Sequence, residues 1–446
     1  MAAALLVAGG FPMAAFVGGV STEDAIALAI GFGVGWLPVA AVTAELASTI
    51  PAVGGPYAWG RVAFGSGWGF IGAWWRLLTA VLDVALVGAA LPWLCGSLGC
   101  GSGFPAHLLS PAGVVAIGAL VTMWPSVIWP LSVLGVVSIA VAVAFAPSIT
   151  ATPLELAGPV GAGVFGAAFA VRGADLAGLV VGEVVEPRRA IPWAIAFGSG
   201  VVAILILGPA ALAGLGGHEL VDSVLGPTRQ LSFLALALVG LMARGAAGIA
   251  IASRLVGAVA IDRYLPKDFA LGVDGLPSRH AVVLVTVGAS FATLIGEAAG
   301  IAALTAVWAG SVATLVGSLV VIRAGHSRLR RGFMIPGGIH AVGFCAALAV
   351  AGAVSSIAAS LFFGGTWWVT VAGPFIASGP IAWVALTIAV KRGRPNHPLA
   401  LEMAVRWFDM ARPGTPEIAI QTSPQRPFTE RIALLVPAAQ FRVAPT

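Results

Sequence analysis

The sequence predicts an all-α membrane protein of about twelve transmembrane helices, and three features carry that expectation. Hydrophobic residues make up 59% of the 446-residue chain and charged residues only 9%. A water-soluble domain carries about 25% charged residues, so this chain lacks the polar surface to cover itself in water. Apolar runs long enough to span a ~30 Å hydrocarbon core recur along it, without the period-2 alternation of barrel strands. Lys and Arg total 23 and give a net charge of +5, but they gather in the loops between those runs. That distribution marks one face of a membrane protein rather than a nucleic-acid binder.

The runs fall at residues 1–17, 25–49, 67–94, 108–124, 127–146, 158–183, 190–215, 231–260, 279–296, 299–322, 337–362 and 368–390. The fourth and fifth are parted only by the turn at Met123-Trp124-Pro125. With the N-terminus inside, the inner loops collect Arg61, Arg188, Arg189, Arg263, Lys267, Arg279, Arg323, Arg328, Arg330 and Arg331, and the outer loops Arg229 alone. The positive-inside rule then places both termini in the cytoplasm. The first run is interrupted after eight residues by Gly9-Gly10-Phe11-Pro12, which points to a leader segment upstream or to a helix that starts half-way into the membrane. With no basic residues and no clean cleavage site, the N-terminus does not read as a signal peptide. The transmembrane domain is expected over 1–392, leaving 393–446 as a cytoplasmic tail after Lys391-Arg392-Gly393-Arg394-Pro395. Leu399 to Met410 reads either as an amphipathic helix on the inner leaflet, anchored by Trp407 and Phe408, or as unstructured tail.

Signals of an enzyme are missing. Gly161-Ala162-Gly163-Val164-Phe165-Gly166 matches a dinucleotide fingerprint, but it lies inside an apolar run rather than between a strand and a helix, so these are packing glycines. There is no P-loop and no HExxH, the six histidines are scattered, and the two lysines, Lys267 and Lys391, sit in loop segments. No enzymatic activity, cofactor or metal is expected. Cys95 and Cys100 flank a Gly/Ser loop and are either bridged or bystanders, while Cys345 stands alone in an apolar run.

Two glycine-interrupted stretches carry more information. Gly9-Gly10-Phe11-Pro12 breaks the first span, and Arg172-Gly173-Ala174-Asp175-Leu176-Ala177-Gly178 breaks the sixth. They occupy corresponding positions if the chain is two five-helix repeats, about 1–146 and 158–322, with two extra helices at 337–390. Paired broken helices mark the midplane binding site of secondary transporters, although glycines also serve close helix packing. Asp83, Arg172, Asp175 and Arg244 lie within spans, where each costs at least ~2.5–3.5 kcal/mol to insert. They are expected to pair in a buried neutral network or to bind substrate. Desolvation favours a protonated carboxyl, so Asp83 or Asp175 would carry a coupling proton. Glu45, Arg76, Arg254 and Glu297 read as structural, with Arg76 snorkelling to the cytoplasmic interface and Arg254 anchoring the cytoplasmic end of its span.

Three motifs resemble one family. Glu45-Leu46-Ala47-Ser48-Thr49-Ile50-Pro51-Ala52-Val53-Gly54-Gly55-Pro56-Tyr57, continuing to Ala63-Phe64-Gly65, is similar to the span 2–3 signature of the amino acid–polyamine–organocation transporters. Gly182 to Pro192 resembles that family's loop after span 6, and Ser253-Arg254-Leu255 with Leu265-Pro266 resembles the end of its span 8. Val7-Ala8-Gly9-Gly10, Thr43-Ala44-Glu45-Leu46, Val81 to Leu86 and the position of Asp175 look closest to the polyamine:proton symporters of plants and protists. Two positions differ from that branch, with Leu6 where it carries an acid and Ala170-Val171-Arg172-Gly173-Ala174 where it is polar and aromatic. A guanidinium at the site repels a polycation, whereas an amino acid suits a site holding both signs.

The resemblance implies twelve helices in a five-plus-five inverted repeat with helices 1 and 6 broken, and a substrate held between spans 1, 3, 6 and 8. The expected function is proton-coupled transport of polyamines or amino acids by alternating access, at the plasma membrane. Gly9, Gly10, Phe11 and Gly173 would supply flexible backbone at the breaks. Asp83 and Asp175 would bind an ammonium or carry the proton, and Arg172 or Arg244 would hold a carboxylate or act as counter-charge. The alternatives are an amino acid permease without polyamine specificity and a non-transporting relative acting as a sensor. A channel ranks behind both, because no ring of like charges is visible.

Overall fold

The computed structural model describes residues 32–52, 54–97, 106–124, 174–181, 184, 186–214, 229–262, 264–271, 276–325, 329, 331–364 and 368–391. The first and fifth expected spans, the glycine run at 161–166, the Cys95 and Cys100 side chains and the tail lie outside them. No strand occurs among the described residues.

The main helices are α1 (Leu37–Thr49), α2 (Pro56–Phe64), α3 (Ser66–Ser97), α4 (Ala106–Met123), α5 (Pro187–Gly214), α6 (Arg229–Ile261), α7 (Arg279–Ala292), α8 (Glu297–Gly325), α9 (Gly338–Gly364) and α10 (Gly373–Lys391). Wider π-helical turns lead into α1 at Phe32–Trp36 and into α10 at Trp368–Ala372. At eight of the expected runs, 67–94, 108–124, 190–215, 231–260, 279–296, 299–322, 337–362 and 368–390, helices begin and end within a few residues of the apolar stretch, whereas the described part of the run 158–183 holds a 3-10 segment at Ala174–Leu179. The boundaries have local causes. Pro56 opens α2, Ser278 caps α7 by accepting the Ala281 N–H at 3.2 Å, and α4 stops at Met123, two residues short of Pro125.

Five segments are long and apolar enough to cross a membrane: Ser66–Pro92, Leu238–Ile261, Ala299–Gly325, Gly338–Ala358 and Thr370–Ala389. Outward faces are apolar as well. Trp193, Phe197 and Ile204 on α5, and Val283, Val287 and Phe291 on α7, stand exposed at spacings of one helix face. Large apolar side chains outside and charges inside invert the pattern of a soluble domain. The chain is therefore all-helical among its described residues and fits a multi-pass membrane protein.

One stretch expected to be loop is helical. α2 follows the Gly54-Gly55 turn, where Gly54 has φ +82° and Gly55 φ +29°, a region that disfavours residues with a Cβ. Gly55 also lies so close to another segment that an added Cβ would sit 2.2 Å from the Gly178 carbonyl oxygen. α2 then packs across α3 and α8, and its Tyr57 and Trp59 are completely buried, with the Tyr57 hydroxyl on Asp262 and the Trp59 indole N–H donating to the Ile50 carbonyl at 2.9 Å.

α3 occupies the middle of the bundle, packed against α2, α4, α6, α7, α8 and α10. α1 packs on α5, α9 and the 3-10 segment Ala174–Leu179. The result places the segment Ala174–Leu179 beside α1 and α6 beside α3.

Candidate functional site

Four ion pairs are buried among the described residues: Arg61–Asp262, Arg76–Asp175, Asp83–Arg244 and Glu45–Arg323. Two of them form on the central helix. Arg76 and Asp83 are seven residues apart on α3, which puts them on one face about 10 Å apart along its axis.

Asp83 lies near the middle of α3 and Arg244 near the middle of α6. Arg244 Nη2 stands 3.1 Å from Asp83 Oδ2. Small residues allow this approach: a Cβ on Gly248 would meet Val84 Cγ2 at 2.7 Å, and one on Gly245 would meet Val87 Cγ1 at 3.4 Å. The Asp83 side chain retains 15% exposure and is the most open carboxylate of the four pairs. Arg244 Nη1 is buried and has no hydrogen-bond partner among the described residues.

Arg76 corrects an expectation. Placed near the cytoplasmic end of its span, it was expected to snorkel to the interface, yet it is 2% exposed. It pairs with Asp175, its Nη2 donating to Oδ1 at 3.4 Å. Asp175 opens the turn 174–179, so this pair ties the irregular stretch of the sixth expected span to α3. Arg254 is likewise buried rather than reaching out as an interfacial anchor, and its Nη1 donates to the Ala250 carbonyl at 3.1 Å. Arg76 finds its partner on a distant segment and Arg254 one four residues back in its own helix, and a buried polar partner removes the drive to reach water.

Asp83, Asp175 and Arg244 are thus brought around α3. Arg172, Gly173, Gly9, Gly10 and Phe11 lie outside the described residues. The member that the sequence reading missed is Arg76. Its seven-residue spacing from Asp83 was the available signal.

The other two pairs lie where helices end. Glu45, completely buried on α1, accepts from Arg323 Nε at 2.5 Å, Arg323 Nη2 at 2.8 Å and the Ile335 N–H at 2.8 Å. Ser48 adds a reciprocal link, accepting the Phe333 N–H at 3.0 Å and donating to the Phe333 carbonyl at 3.3 Å. Arg331, in the same connection, has its pKa lowered by burial and by the Arg323 guanidinium, with Glu45 opposing. At a second point, Asp262 after α6 takes both Arg61 and the Tyr57 hydroxyl from α2. The structure therefore gathers at one end of the bundle the segments around Arg61, Asp262 and Arg323.

No three His, Cys, Asp or Glu side chains come together as a metal site among the described residues. No family model matches the chain, and no curated protein matches it.

Proposed function

We propose that the chain is a secondary active transporter that moves amino-acid-like zwitterions across a membrane, coupled to protons, by alternating access. The observation that carries this reading is the Asp83–Arg244 pair at mid-helix in α3 and α6. Buried ion pairs contribute little net stability, since apolar residues of similar size serve as well. Charges kept at the centre of such apolar helices are by default functional. The charge balance selects the ligand class. Asp83 and Asp175 each already face an arginine, so a polycation meets as much repulsion as attraction, while a molecule bearing both signs is matched. Amino acids are thus favoured over polyamines.

In this proposal Arg244 takes the substrate carboxylate. The Arg76–Asp175 pair links movement of the sixth span to α3. Twelve helices in a five-plus-five inverted repeat, kinship with the amino acid–polyamine–organocation transporters, cytoplasmic termini and a plasma-membrane location belong to the same proposal. The resemblance of Glu45–Tyr57, Gly182–Pro192 and Ser253–Leu255 supports it. So does the meeting of the third span with the sixth and eighth.

The test is uptake of labelled arginine and putrescine into proteoliposomes under an imposed inward proton gradient, for wild type and Asp175→Asn. Gradient-driven arginine uptake supports the proposal. Putrescine uptake lost in the variant would return the chain to the polyamine branch. A second reading, a non-transporting sensor, is favoured by the four buried ion pairs among the described residues. Binding of arginine without accumulation of any label would establish it.

A further inference from the structure

We infer that the outer face of α5 binds an anionic phospholipid, with its phosphate at Arg189 and an acyl chain along Trp193, Phe197 and Gly200. The inference needs the membrane placement of α5 and goes beyond the transport reading. The rotation of α5 is fixed by its inner face, where Ile191, Ile195 and Val202 are buried and Ser199 accepts the Trp36 indole N–H at 3.0 Å. At 3.6 residues per turn, Arg189, Trp193, Phe197, Gly200 and Ile204 fall within about 80° of one another on the opposite side. All five are exposed, Trp193 by 71%. An arginine, a tryptophan and a phenylalanine thus stand in one stripe on the surface that faces lipid.

The charge around the head of that stripe is positive. A Cβ on Gly332 would lie 2.3 Å from the Arg188 carbonyl oxygen, so the connection between α8 and α9 runs against the first turn of α5. The stretches 182–192 and 326–336 together carry five arginines, at 188, 189, 328, 330 and 331, against two acids, Glu183 and Glu186. Glu45 and Arg323 already pair and add no net charge. Glu186, exposed three residues before Arg189, reduces the excess without cancelling it. Arg331, half-buried in the connection, is disfavoured as a cation by burial and by Arg323, with only Glu45 opposing, a balance that an added phosphate relieves.

Depth selects a lipid over a soluble phosphate. A rise of 1.5 Å per residue sets Trp193 about 6 Å and Phe197 about 12 Å beyond Arg189 along the axis. That order of guanidinium, indole and apolar ring matches the order of phosphate, interface and acyl chain. A Cβ on Gly200 would meet nothing within 4 Å, which leaves a gap beside Phe197 and Ile204 for the chain. α7 provides the contrast. Its outward stripe of Arg279, Val283, Val287 and Phe291 has the same spacing but no aromatic ring one turn in. The stretch 262–280 leading into it carries three Arg and Lys residues against three Asp, so no positive excess marks that end.

The experiment is native mass spectrometry of the purified full chain in detergent, titrated with phosphatidylglycerol and with phosphatidylcholine of the same acyl chains. The wild type should bind the first phosphatidylglycerol at least about fivefold more tightly than phosphatidylcholine. Arg189→Gln should lose about fivefold for phosphatidylglycerol and nothing for phosphatidylcholine. Trp193→Ala should weaken both lipids, and Arg279→Gln should leave the preference unchanged. The wild-type preference needs no variant, so its absence overturns the inference even if a variant folds poorly. A preference that survives in folded Arg189→Gln overturns it, as does one that falls equally in Arg279→Gln, which would be general surface charge. Phosphatidylglycerol binding unchanged in Trp193→Ala overturns the placing of the acyl chain on this stripe. Glycerol phosphate competing at the lipid's own concentration would assign the site to a soluble phosphate instead. A dimer that excludes phosphatidylglycerol and dissociates in Trp193→Ala would give the face to a second copy of the chain and overturn the inference. None of these readouts involves transport, so failure of the transport reading leaves the inference standing.

Discussion

Replacing Glu45 by glutamine removes a charge and leaves the side chain's shape almost unchanged, which isolates the electrostatics of the α1–α8 connection. In the structure the carboxylate is completely buried and accepts three hydrogen bonds, two from Arg323 and one from the Ile335 N–H. An amide offers one acceptor oxygen and turns an NH2 toward donors. Arg323, with a side chain 7% exposed, is left without its counter-charge. Breaking a buried pair by removing one partner costs about 3–5 kcal/mol, and the Ile335 N–H adds about 1–3 kcal/mol if it loses its acceptor. These overlap, so the expected loss for Glu45→Gln is about 3–5 kcal/mol. Arg323→Gln should cost a similar amount, because it strands Glu45. The double variant strands neither, and its loss should fall short of the sum by at least about 2 kcal/mol. The assay is a double-mutant cycle by reversible unfolding in mixed micelles, with fluorescence of the tryptophans as readout. A coupling energy below about 0.5 kcal/mol would refute the reasoning, since the two residues would then act independently.

Other outcomes are checked the same way. Gly55→Ala should destabilise by about 2 kcal/mol or more, because its Cβ would sit 2.2 Å from the Gly178 carbonyl oxygen and its φ is +29°; thermal unfolding measures it. Gly248→Val should push α3 from α6, costing about 1–3 kcal/mol and weakening amino acid binding, which calorimetry would follow. Ser199→Ala removes the acceptor of the buried Trp36 indole N–H at 3.0 Å, and should cost about 1–3 kcal/mol with a shift in indole emission. Arg76→Gln should strand Asp175 and destabilise the chain by about 3–5 kcal/mol, where a snorkelling arginine would cost under about 1 kcal/mol.

Much of the architecture was legible because lipid makes hydrogen bonding local. A backbone in hydrocarbon must satisfy itself within a helix, so the length of an apolar run and its flanking Pro, Gly and Arg nearly fix each element. The run at 67–94 became the helix Ser66–Ser97, and that at 231–260 became Arg229–Ile261. α2 was less legible. Nine residues, Pro56–Phe64, carry no span-length signal, and the helix owes its place to packing against α3 and α8.

The charges divide along the same line. Sequence alone established that Asp83, Asp175 and Arg244 stand inside apolar segments and must find partners there, because an unpaired charge in hydrocarbon is too costly to keep. It also offered Arg172 as a candidate partner. Only the tertiary structure decided that Asp83 meets Arg244, that Asp175 meets Arg76 and that Arg254 turns inward. Those pairings depend on how each helix is rotated and how closely two axes approach, which glycines such as Gly245 and Gly248 set in three dimensions. Burial is written in composition, but which charge a buried charge faces is written in the packing of distant segments.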